Sequence, residues 1–526
     1  MDRGRGGRGG RGADGGQDGG PAPPRVIRFR TSLHNTVCDV MRARNWVETD
    51  SETDWDFNWA DTGWVHENFD HMYMSEGQRI NHFRNHYELT RKDLLIKNLK
   101  RAKKQLEKEG NAAEAAKYDF SPQTYSLPAE YGLFVEEFKR TGGVWIMKPI
   151  GRAQGKGIFL FNRLSQIADW KKVCGNASRV DAPAPRGPRL TPAHGSLPLT
   201  PLQPRYPRRP PPHPIPSLTF PLAYPARCAM QDARWRNNGE NQAENYIAQR
   251  YLEKPYLIGG KKFDLRLYAL VTSYSPLKVY LYRSGFGRFS NSRFSMKKED
   301  ICNNFIHLTN VAIQKTADNY DRKRGMKWSV RSLKLYLTSR HGAEAVDDLF
   351  FEMQSLIVRS LKAVQPAIIN DKHCFEMCVR ASIGATWEGM GAGASKARRS
   401  LRTTADIAHR APSSLAVTRG RNRYGYDLLI DNNLKPWLIE VNASPSLSAD
   451  TPADYELKFG MLDDAFSIID MEGRLAHHDG PVHQVGGFDL VWNNGPVNHN
   501  RVLPSMLGTF NDRLKNLKSL FAAGRR

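Results

Sequence analysis

Three oxygen-bearing side chains near the C-terminal end of the chain are spaced to meet on one face of a β-hairpin. Residues 424–447 read YGYDLLIDNNLKPWLIEVNASPSL, two apolar runs joined by a polar turn. The pattern predicts a hairpin centred between Asn433 and Leu434, with Asp427 directly opposite Glu440. Asn442 follows Glu440 by two residues and therefore projects from the same face.

The two carboxylates of this hairpin would repel each other by roughly 3 kcal/mol, at about 5 Å and an effective dielectric near 20. A cation between them would remove the repulsion. Mg²⁺ and similar hard cations favour carboxylate and amide oxygens, often beside nucleotide phosphates. The sequence therefore predicts a metal site made of Asp427, Glu440 and Asn442. A solvated hairpin face without a metal is the alternative that this segment leaves open.

A lysine followed by a glycine-rich turn is the second candidate. The apolar run VWIMKP at 144–149 predicts a buried strand that delivers Lys148, and GRAQGKGI follows at 151–158. Flexible glycines allow backbone N–H groups to approach phosphate oxygens, and a lysine adds a positive charge. The glycine spacing and the Gly157 after Lys156 exclude a Walker A loop. A glycine-rich hairpin without a binding role remains the alternative.

Two further segments predict strands with functional side chains. KKFDLRLYALV at 261–271 alternates, which places Lys262, Asp264 and Arg266 on one face and the apolar residues on the other. An exposed sheet face would show the same pattern. Upstream, NYIAQRYLEKP at 245–255 predicts a strand whose end, Gln249 to Leu252, is placed to contact an adenine edge through its backbone.

Three shorter segments add candidates that carry weight only together with the others. RSGFGRFS places Arg288 after a glycine turn, HLTNVAIQK supplies His307, Thr309 and Asn310, and GMKW supplies Lys327. Taken singly, each is more typical of a surface, capping or structural residue. The chain has no recognisable nucleophilic triad and no HRD or DFG in kinase order. The whole set indicates nucleotide-dependent chemistry based on metals and positioning, as in phosphoryl transfer.

Composition and charge limit the class of protein. A chain of 526 residues with a net charge of +23 predicts roughly two to four domains and an acidic partner, whether nucleic acid, anionic membrane or acidic protein. Six scattered cysteines lack the spacing of a zinc site and the density of a disulfide scaffold, so we expect reduced thiols. The chain has no long apolar run and no secretory signal, which predicts a location in the cytosol or on a cytosolic structure.

The order of the segments predicts where compact structure lies. VIRFRT from Val26 predicts a strand, a helix is expected from Leu33, and a basic helix is expected between Leu89 and Lys108. Four segments differ in composition from the rest: the RGG-rich arm 1–25, which we expect to be disordered, the proline-rich insertion 179–227, the low-complexity insertion 377–423 and the basic tail 498–526.

The motifs quoted above, in their order along the chain, resemble those of the tubulin tyrosine ligase-like enzymes. INHFRNHYELTRKDLLIKNLKR, FVEEF, DKHCFE and VGGFDLVWNNGP narrow the resemblance to the polyglutamylase branch. It covers roughly residues 26–178, 228–376 and 424–497. It implies an α/β (α+β) protein with an ATP-grasp fold and a catalytic domain at 26–497. Within that domain we expect a small N-terminal α/β subdomain at about 26–120 and an ATP-grasp core at about 121–470.

The resemblance implies ATP-dependent isopeptide ligation of glutamate to glutamates of tubulin tails through an acyl phosphate, with ATP and Mg²⁺ as cofactors. Carried over by motif, the ATP-binding residues are Lys148, Gln154, Gly155, Gln249, Arg250, Tyr251, Leu252, Lys262, Phe263, Asp264, Thr309 and Asn310. The implied metal ligands are Asp427, Glu440 and Asn442, the catalytic residues are Arg266 and Glu440, and the glutamate-binding residues are Arg288, Lys327 and Lys458.

The implied partners are tubulin, whose acidic tails the basic helix would attract, free L-glutamate and accessory subunits, rather than nucleic acid. The implied location is the cytoplasm and cytoskeleton, at the basal body or axoneme of a cilium or flagellum. Glycine ligation within the same family and a non-catalytic microtubule- or RNA-binding scaffold are the alternatives. Family members run directly from DKHCFE into the hairpin strand, whereas residues 377–423 intervene here, so Glu376 and Tyr424 need not be strand neighbours.

Overall fold

The structure of the chain is a computed structural model that describes residues 26–152, 155–167, 245–317, 327–377, 425–442, 449, 451–497 and 503–523. The predicted arm at 1–25, the insertion 179–227 and Gln154 lie outside the described residues. So does the predicted insertion 377–423, apart from its first residue, Met377.

The described residues form nineteen strands and twelve α-helices. The strands are β1 Arg28–Thr31, β2 Val47–Glu48, β3 Phe57–Trp59, β4 Arg79–Ile80, β5 Thr124–Leu127, β6 Trp145–Pro149, β7 Phe159–Phe161, β8 Tyr246–Arg250, β9 Leu257–Ile258, β10 Lys261–Leu267, β11 Ala269–Tyr274, β12 Leu277–Tyr282, β13 Phe286–Phe289, β14 Lys327–Ser329, β15 Glu376–Met377, β16 Tyr426–Ile430, β17 Pro436–Val441, β18 Gln484–Val485 and β19 Phe488–Asn493. The helices are α1 Thr36–Ala43, α2 Thr62–Asn68, α3 Tyr87–Thr90, α4 Lys92–Lys108, α5 Ala112–Ala116, α6 Tyr131–Thr141, α7 Asn304–His307, α8 Val311–Gln314, α9 Val330–His341, α10 Ala343–Val364, α11 Pro452–Ile469 and α12 Arg513–Ala523.

The N-terminal residues form a parallel sheet in the order β2-β1-β3-β4, and it shares a core with the C-terminal part of the chain. The rings of Phe57 and Trp59 lie 5.2 and 5.9 Å from the ring of Phe466 on α11. Arg44 donates to both carboxylate oxygens of Glu472, 428 residues later in the chain. The predicted N-terminal subdomain is therefore not packed as a separate unit.

Two antiparallel sheets position the candidate site. One has the order β5-β8-β6-β7, and the other has the order β14-β13-β10-β16-β17 with β9 beside β10. The run WIMKP forms β6, which is buried along its whole length because β7 and β8 pair with its two edges. In β10 the predicted alternation is observed: Leu265 and Leu267 enter the main core, and the charged residues point the other way.

The main hydrophobic core lies under the second of these sheets and under a further sheet of order β15-β11-β12-β19-β18. Helix α10 closes it. Its apolar side chains recur at helical spacing, and Val346, Phe350, Met353 and Ile357 are all buried. This core fixes the strands that carry the charged side chains of the site.

The predicted hairpin is confirmed as β16 and β17, and Asp427 pairs with Glu440 as expected. A bulge at Ile439 changes the register nearer the turn, where Leu428 pairs with Leu438. The turn is closed by Asp431, whose carboxylate accepts hydrogen bonds from the amides of residues 433 and 435. The last strand pair before the loop is Ile430 with Pro436. The loop is therefore longer than the two-residue turn expected of a hairpin centred between residues 433 and 434.

A buried pair joins the end of β4 to β15. Nδ1 of His82 lies 2.8 Å from Oε1 of Glu376, and the amide of Phe83 donates to Oε2 at 3.0 Å. Burial lowers the pKa of His82 to about 3 and raises the pKa of Glu376 to about 8. We call this pair, with the adjacent bridge between Ile80 and Cys374, the β4–β15 junction.

Two predicted boundaries are corrected. Met377, the first residue of the predicted insertion 377–423, belongs to β15 because it pairs with Leu270. Within the predicted basic tail 498–526, α12 packs against α11: Nε of Arg513 donates to Asp464 at 2.9 Å, and Leu517 is buried. The compact structure thus extends well beyond residue 497.

The remaining expectations have mixed outcomes. The N-terminal strand and helix and the basic helix are confirmed as β1, α1 and α4. Cys38 and Cys374 are free and buried, but Cys302 is disulfide-bonded, which contradicts the prediction of reduced thiols at that position. Among the described helices, none has the length and apolar character needed to cross a bilayer.

Candidate functional site: a cleft between two sheets

A cleft with about 810 Å³ of space, part of it open to solvent, lies between the sheet that contains β6 and β8 and the sheet that contains β10, β16 and β17. Most of the residues predicted from the sequence line it. They are Lys148, Gly155, Gln249, Arg250, Tyr251, Leu252, Lys262, Asp264, Arg288, Thr309, Asn310, Asp427, Glu440 and Asn442.

Lys148 is held in place by the first sheet. Its Nζ donates to Oε1 of Gln249 at 2.6 Å, and Gln249 in turn donates to Oγ1 of Thr124 at 2.9 Å. Burial lowers the pKa of Lys148 to about 8, against the opposing effect of Glu440. The ammonium therefore lies in the cleft with few competing partners, which suits a phosphate ligand.

Lys262 lies in a chain of hydrogen bonds on the opposite sheet. Its Nζ donates to the hydroxyl of Tyr251 at 3.0 Å and to the carbonyl of His307 at 2.9 Å. Nε2 of His307 lies 3.0 Å from the carbonyl of Asp300 and must donate to it, so Nδ1 accepts from Tyr251 at 2.9 Å. Burial lowers the pKa of His307 to about 4 and that of Lys262 to about 7. His307 is thus a satisfied structural histidine that orients Tyr251.

Gly155 of the glycine-rich turn lines the cleft. Gly155 and Gly157 have φ values of +78° and +72°, in the left-handed region that favours glycine. A Cβ at Gly155 would lie 2.4 Å from Cδ1 of Ile313 on α8. Only glycine therefore allows the turn to approach the helix this closely.

The predicted metal ligands are brought together at the hairpin. The amide nitrogen of Asn442 lies 3.0 Å from Oε1 of Glu440 and 3.5 Å from Oδ2 of Asp427. Two carboxylates and an amide around one point are the donors that Mg²⁺ prefers, provided that the amide of Asn442 turns its oxygen inward. The residues present fit a magnesium ion.

Cationic side chains of the protein itself reduce the repulsion between the two hairpin carboxylates. Nε of Arg266 donates to Oδ1 of Asp427 at 2.5 Å, and a nitrogen of Arg288 lies 2.9 Å from Oδ2. Arg288 also forms a bidentate pair with Asp264, and Nζ of Lys92 lies 3.8 Å from Oε2 of Glu440. Charge repulsion alone therefore does not require a metal ion.

Arg288 is the shared cation of this group. Burial alone would lower its pKa, but Asp264 and Asp427 raise it above the ordinary value for arginine. Conversely, burial raises the pKa of Asp427, and Arg266 and Arg288 oppose that rise. The arginines keep charge in a place where an isolated carboxylate would tend to be protonated.

Of the predicted residues that the structure describes, four do not line the cleft. Phe263 is corrected: it lies on the opposite face of β10, in the main core, with its ring 5.1 Å from that of Phe289. Arg266 lies behind Asp427. Lys327 and Lys458 lie beside the cleft, where both contact Asp454.

Several residues of the cleft were missed from the sequence. Lys92, the first residue of the basic helix α4, reaches Glu440, and Arg152 lines the cleft at the glycine turn. Apolar walls come from Ile146, Ile158, Leu308, Leu429 and Ile439. Alternation along β6 was the available signal for Ile146, which lies two residues from Lys148. For Ile439, which is next to Glu440, alternation predicts the opposite face, and the bulge changes that.

A model described as the tubulin-tyrosine ligase family matches residues 70–381 and 400–475. The chain belongs to the tubulin-tyrosine ligase family. The stretch 382–399, which the family model leaves unmatched, falls within the segment that the sequence predicts as an insertion. Membership agrees with the mixed α/β architecture and confirms the predicted ATP-grasp class of fold.

Individual members of the tubulin-tyrosine ligase family are similar over nearly the whole chain. A probable tubulin polyglutamylase TTLL9 from Bos taurus is 46% identical over 515 residues, which cover 94% of this chain and 92% of the relative. The Mus musculus protein of the same name is 44% identical over 511 residues, with the same coverage. A probable alpha-tubulin polyglutamylase Ttll1 from Tetrahymena thermophila is 37% identical over 488 residues, 89% of this chain and 93% of the relative.

Proposed function

We propose that the chain is an ATP-dependent tubulin polyglutamylase that ligates glutamate to side-chain carboxylates of glutamates in tubulin C-terminal tails. The observation that carries this proposal is the cleft, in which buried lysines on two sheets face a carboxylate pair and a shared arginine. The printed names of the relatives, which are tubulin polyglutamylases, point to the same activity.

In this proposal ATP occupies the cleft. Lys148 and Lys262 would bind its phosphates with the backbone of the glycine turn, and the segment Gln249 to Leu252 would contact the adenine edge. Thr309 and Asn310 would complete the nucleotide contacts. Ile146, Ile158 and the other apolar wall residues exclude water from the base and strengthen the electrostatic contacts at the phosphates.

The metal site would be formed by Asp427, Glu440 and Asn442. A bound Mg²⁺ would neutralise phosphate charge and orient the γ-phosphoryl group for transfer. Lys92 lies within ion-pair distance of Glu440 and would keep that carboxylate directed toward the cleft.

The reaction would run in two steps. An oxygen of the tail carboxylate attacks the γ-phosphorus of ATP, the bond to the β-phosphate oxygen breaks, and ADP leaves. The neutral amine of glutamate then attacks the acyl carbon, and the bond from that carbon to the phosphate oxygen breaks. The amide forms, and phosphate leaves with the proton that the amine loses. Arg266 and Arg288 would stabilise the negative charge that develops in both steps, since nearly every reactant is an anion.

Tubulin tails are acidic, and α4 offers a basic surface beside the cleft. Lys97, Lys104 and Lys108 are exposed on it, whereas Lys100 and Lys103 are paired with Glu130 and Asp119. We infer that the exposed lysines attract the tails and that salt weakens this attraction. The proposed location is the microtubule cytoskeleton, at basal bodies and axonemes, with accessory subunits as possible partners.

The test is to supply purified protein with ATP, Mg²⁺, microtubules and one labelled amino acid at a time. Label from glutamate in the tubulin tails is the expected result. Label from glycine alone would make the chain a glycine ligase, and no label from any amino acid would leave the scaffold alternative. Deleting residues 1–25 gives a second check, because a ligase keeps its activity whereas an RNA-binding scaffold loses most of its affinity.

A further inference from the structure

A histidine, a cysteine and a glutamate come together at the edge of the N-terminal sheet, outside the cleft. Nδ1 of His34 lies 3.9 Å from Oε1 of Glu48, and Sγ of Cys38 lies 3.9 Å from Oε2 of the same carboxylate. One ligand atom from each of the three side chains lies within 4.8 Å of the other two. We call these three residues the Cys38 cluster.

A parallel β1–α1–β2 unit brings the three side chains together. His34 follows β1, Cys38 lies in the first turn of α1, and Glu48 is the last residue of β2, which pairs with β1 in parallel. The side chain of Asn35 accepts from the amide of Val37, and this cap fixes the first turn of α1. The cluster therefore lies where strands end and the connecting helix begins, a common position of ligand sites in open α/β sheets.

The three donors of the cluster are those that zinc prefers. Thiolate sulfur, imidazole nitrogen and carboxylate oxygen are its protein ligands, whereas Mg²⁺ favours oxygen. In a tetrahedral site with bonds of about 2.0–2.3 Å, neighbouring ligand atoms lie roughly 3.3–3.6 Å apart. The observed separations of 3.9 Å need only small movements. His34 can make most of them, because its side chain is 73% exposed, whereas Cys38 is buried.

The three groups converge without bonding tightly to one another. At 3.9 Å the imidazole of His34 is beyond hydrogen-bond distance from the carboxylate of Glu48, and an ion pair this exposed contributes little to stability. A metal ion bound to all three atoms would replace these weak contacts with three metal–ligand bonds. The arrangement is therefore explained better by a shared ligand than by the contacts within the cluster.

Arg42 orients the carboxylate of the cluster. Its Nη2 lies 2.7 Å from Oε2 of Glu48, while Oε1 is the oxygen nearer His34. Carboxylates that bind metal ions usually accept an outer hydrogen bond of this kind. Asp39 and Arg42 are three residues apart on α1, so the arginine keeps a carboxylate neighbour when a cation takes up the charge of Glu48.

We propose that the Cys38 cluster is a structural zinc site, in which Nδ1 of His34, Sγ of Cys38 and one oxygen of Glu48 bind the ion and water takes the fourth position. The thiol proton of Cys38 passes to solvent as the metal–sulfur bond forms. The ion ties the first turn of α1 to β2. The same helix contacts α11, where the hydroxyl of Tyr455 donates to Asp39 at 3.1 Å.

This inference is independent of the proposed function, because the cluster lies outside the cleft and concerns the stability of the N-terminal sheet. The spacing of the cysteines gave no signal for the site, since its other two ligands are a histidine and a carboxylate.

The first test is a titration of the full chain with Co²⁺ in excess Mg²⁺, which occupies sites made of oxygen ligands. Co²⁺ takes the place of zinc and absorbs in the near ultraviolet when it is bonded to a thiolate. We expect this absorption in the unmodified chain, its loss on addition of Zn²⁺, and its loss in Cys38→Ser. No such absorption in the unmodified chain, or equal absorption in Cys38→Ser, would refute the site.

His34→Gln tests the second ligand without disturbing the core, because the His34 side chain is largely exposed. Zinc affinity, measured by competition with a chelating dye, should fall at least about 100-fold, the share of one ligand in a four-ligand site. His71→Gln changes another exposed histidine and should leave the affinity unchanged. Equal affinities of His34→Gln and the unmodified chain would overturn the proposed ligand set.

The melting temperature tests the structural role. Zn²⁺ at about 100 times its dissociation constant should raise the melting temperature of the unmodified chain by roughly 3–5 °C and leave that of Cys38→Ser unchanged. Cys374→Ser is the matched control, since Cys374 is also buried and free but belongs to the β4–β15 junction, and it should keep the shift. An equal shift in Cys38→Ser would place the stabilising ion elsewhere and refute the proposal.

Discussion

The ionisable side chains of the cleft and those of the β4–β15 junction are buried to a similar degree but have different arrangements of partners. At the junction, His82 and Glu376 face each other in a closed pair. In the cleft, Asp427 has two arginines, and one of them, Arg288, is shared with Asp264. At the junction the two side chains therefore have each other as a fixed partner, whereas in the cleft Asp427 has two arginine partners and Arg288 has two carboxylate partners.

Buried ionisable groups with a structural role and those with a functional role differ in how easily their partners can be exchanged. Arg288 can move away from Asp427 and still be neutralised by Asp264. A ligand can therefore replace Arg288 beside Asp427 at a low cost in free energy. Breaking the closed pair would leave a buried group without a partner, which is strongly unfavourable. We expect substitutions in the cleft to change catalysis more than stability and substitutions at the junction to do the reverse.

The largest effect is expected for Glu440→Gln, a substitution in the cleft that should change catalysis and not stability. Loss of one metal ligand charge should lower the rate of glutamate ligation at least about 100-fold, with an unchanged melting temperature. Glu136→Gln, an exposed site on α6, makes the same change of charge and should have no effect. Undiminished incorporation of labelled glutamate by Glu440→Gln would remove the metal assignment.

The next largest effect is expected at Gly425, which packs closely against Arg266. A Cβ at Gly425 would lie 2.8 Å from Cδ and 2.9 Å from Nε of Arg266, so Gly425→Ala should displace the guanidinium from Asp427. We expect a loss of roughly ten- to a hundredfold in ligation rate, on the scale of one lost stabilising donor. Nucleotide affinity, measured by titration, should change little.

Gly132→Ala is the control for that substitution. No atom outside its immediate surroundings lies within 4 Å of a Cβ at Gly132, which is in α6. Its activity should be that of the unmodified chain. Full activity of Gly425→Ala would mean that Arg266 does not act through its contact with Asp427.

A smaller effect concerns the pH dependence of nucleotide binding. The pKa of Lys262 is about 7 in the free cleft, and a bound phosphate would raise it. The bound state then keeps a proton that the free state loses, so affinity falls as pH rises above 7, by about tenfold between pH 7 and pH 8.5. Lys262→Arg stays charged, so its affinity should fall less steeply over this range, by the part that Lys148 contributes, because burial lowers the pKa of Lys148 to about 8. Parallel curves for the two proteins would refute the assignment.

The smallest effect is on the pH dependence of stability at the junction. Between pH 4.5 and 6.5 the folded pair and the unfolded pair each hold one proton, because the raised pKa of Glu376 offsets the lowered pKa of His82. As pH rises from 6.5 to about 8 the folded pair keeps a proton that the unfolded pair has lost. Stability should therefore fall by about 2 kcal/mol over this interval.

Urea denaturation of the unmodified chain and of Glu376→Gln measures this contribution. Glutamine cannot ionise, so the difference between the two proteins isolates the ionisation of Glu376 from that of the other groups, His82 included. The unmodified chain should lose stability relative to the variant as pH rises from 6.5 to 8. A constant difference would show that Glu376 is already ionised in the folded protein.

Local patterns predicted the strands of the site well, and long-range pairing explains what they missed. Alternation was enough to place Lys262, Asp264 and Arg266 on one face of β10 and to pair Asp427 with Glu440. It could not show that Arg266 and Arg288 both reach Asp427, because that depends on the register of strands more than a hundred residues apart. The same holds for Lys92, which approaches Glu440 from α4.

Two errors had a different origin. Phe263 was taken with its neighbours from a family motif, although the period of two along a strand places it on the core side. The C-terminal segment was judged from its charge, but Leu514 and Leu517 are three residues apart, and this spacing was a signal for the helix α12. Both signals were present in the sequence, but the family motif was given more weight for Phe263 and the positive charge was given more weight for the C-terminal segment.

The core shared by the first sheet and α11 has a consequence for synthesis of the protein. Strand β1 leaves the ribosome early, but Phe466 and Glu472, against which this region packs, follow more than 400 residues later. At about 5–20 residues per second, the N-terminal apolar surface stays uncovered for roughly 20–90 s. The nascent chain would therefore depend on chaperones during that time, and yield in a heterologous host should respond to chaperone supply.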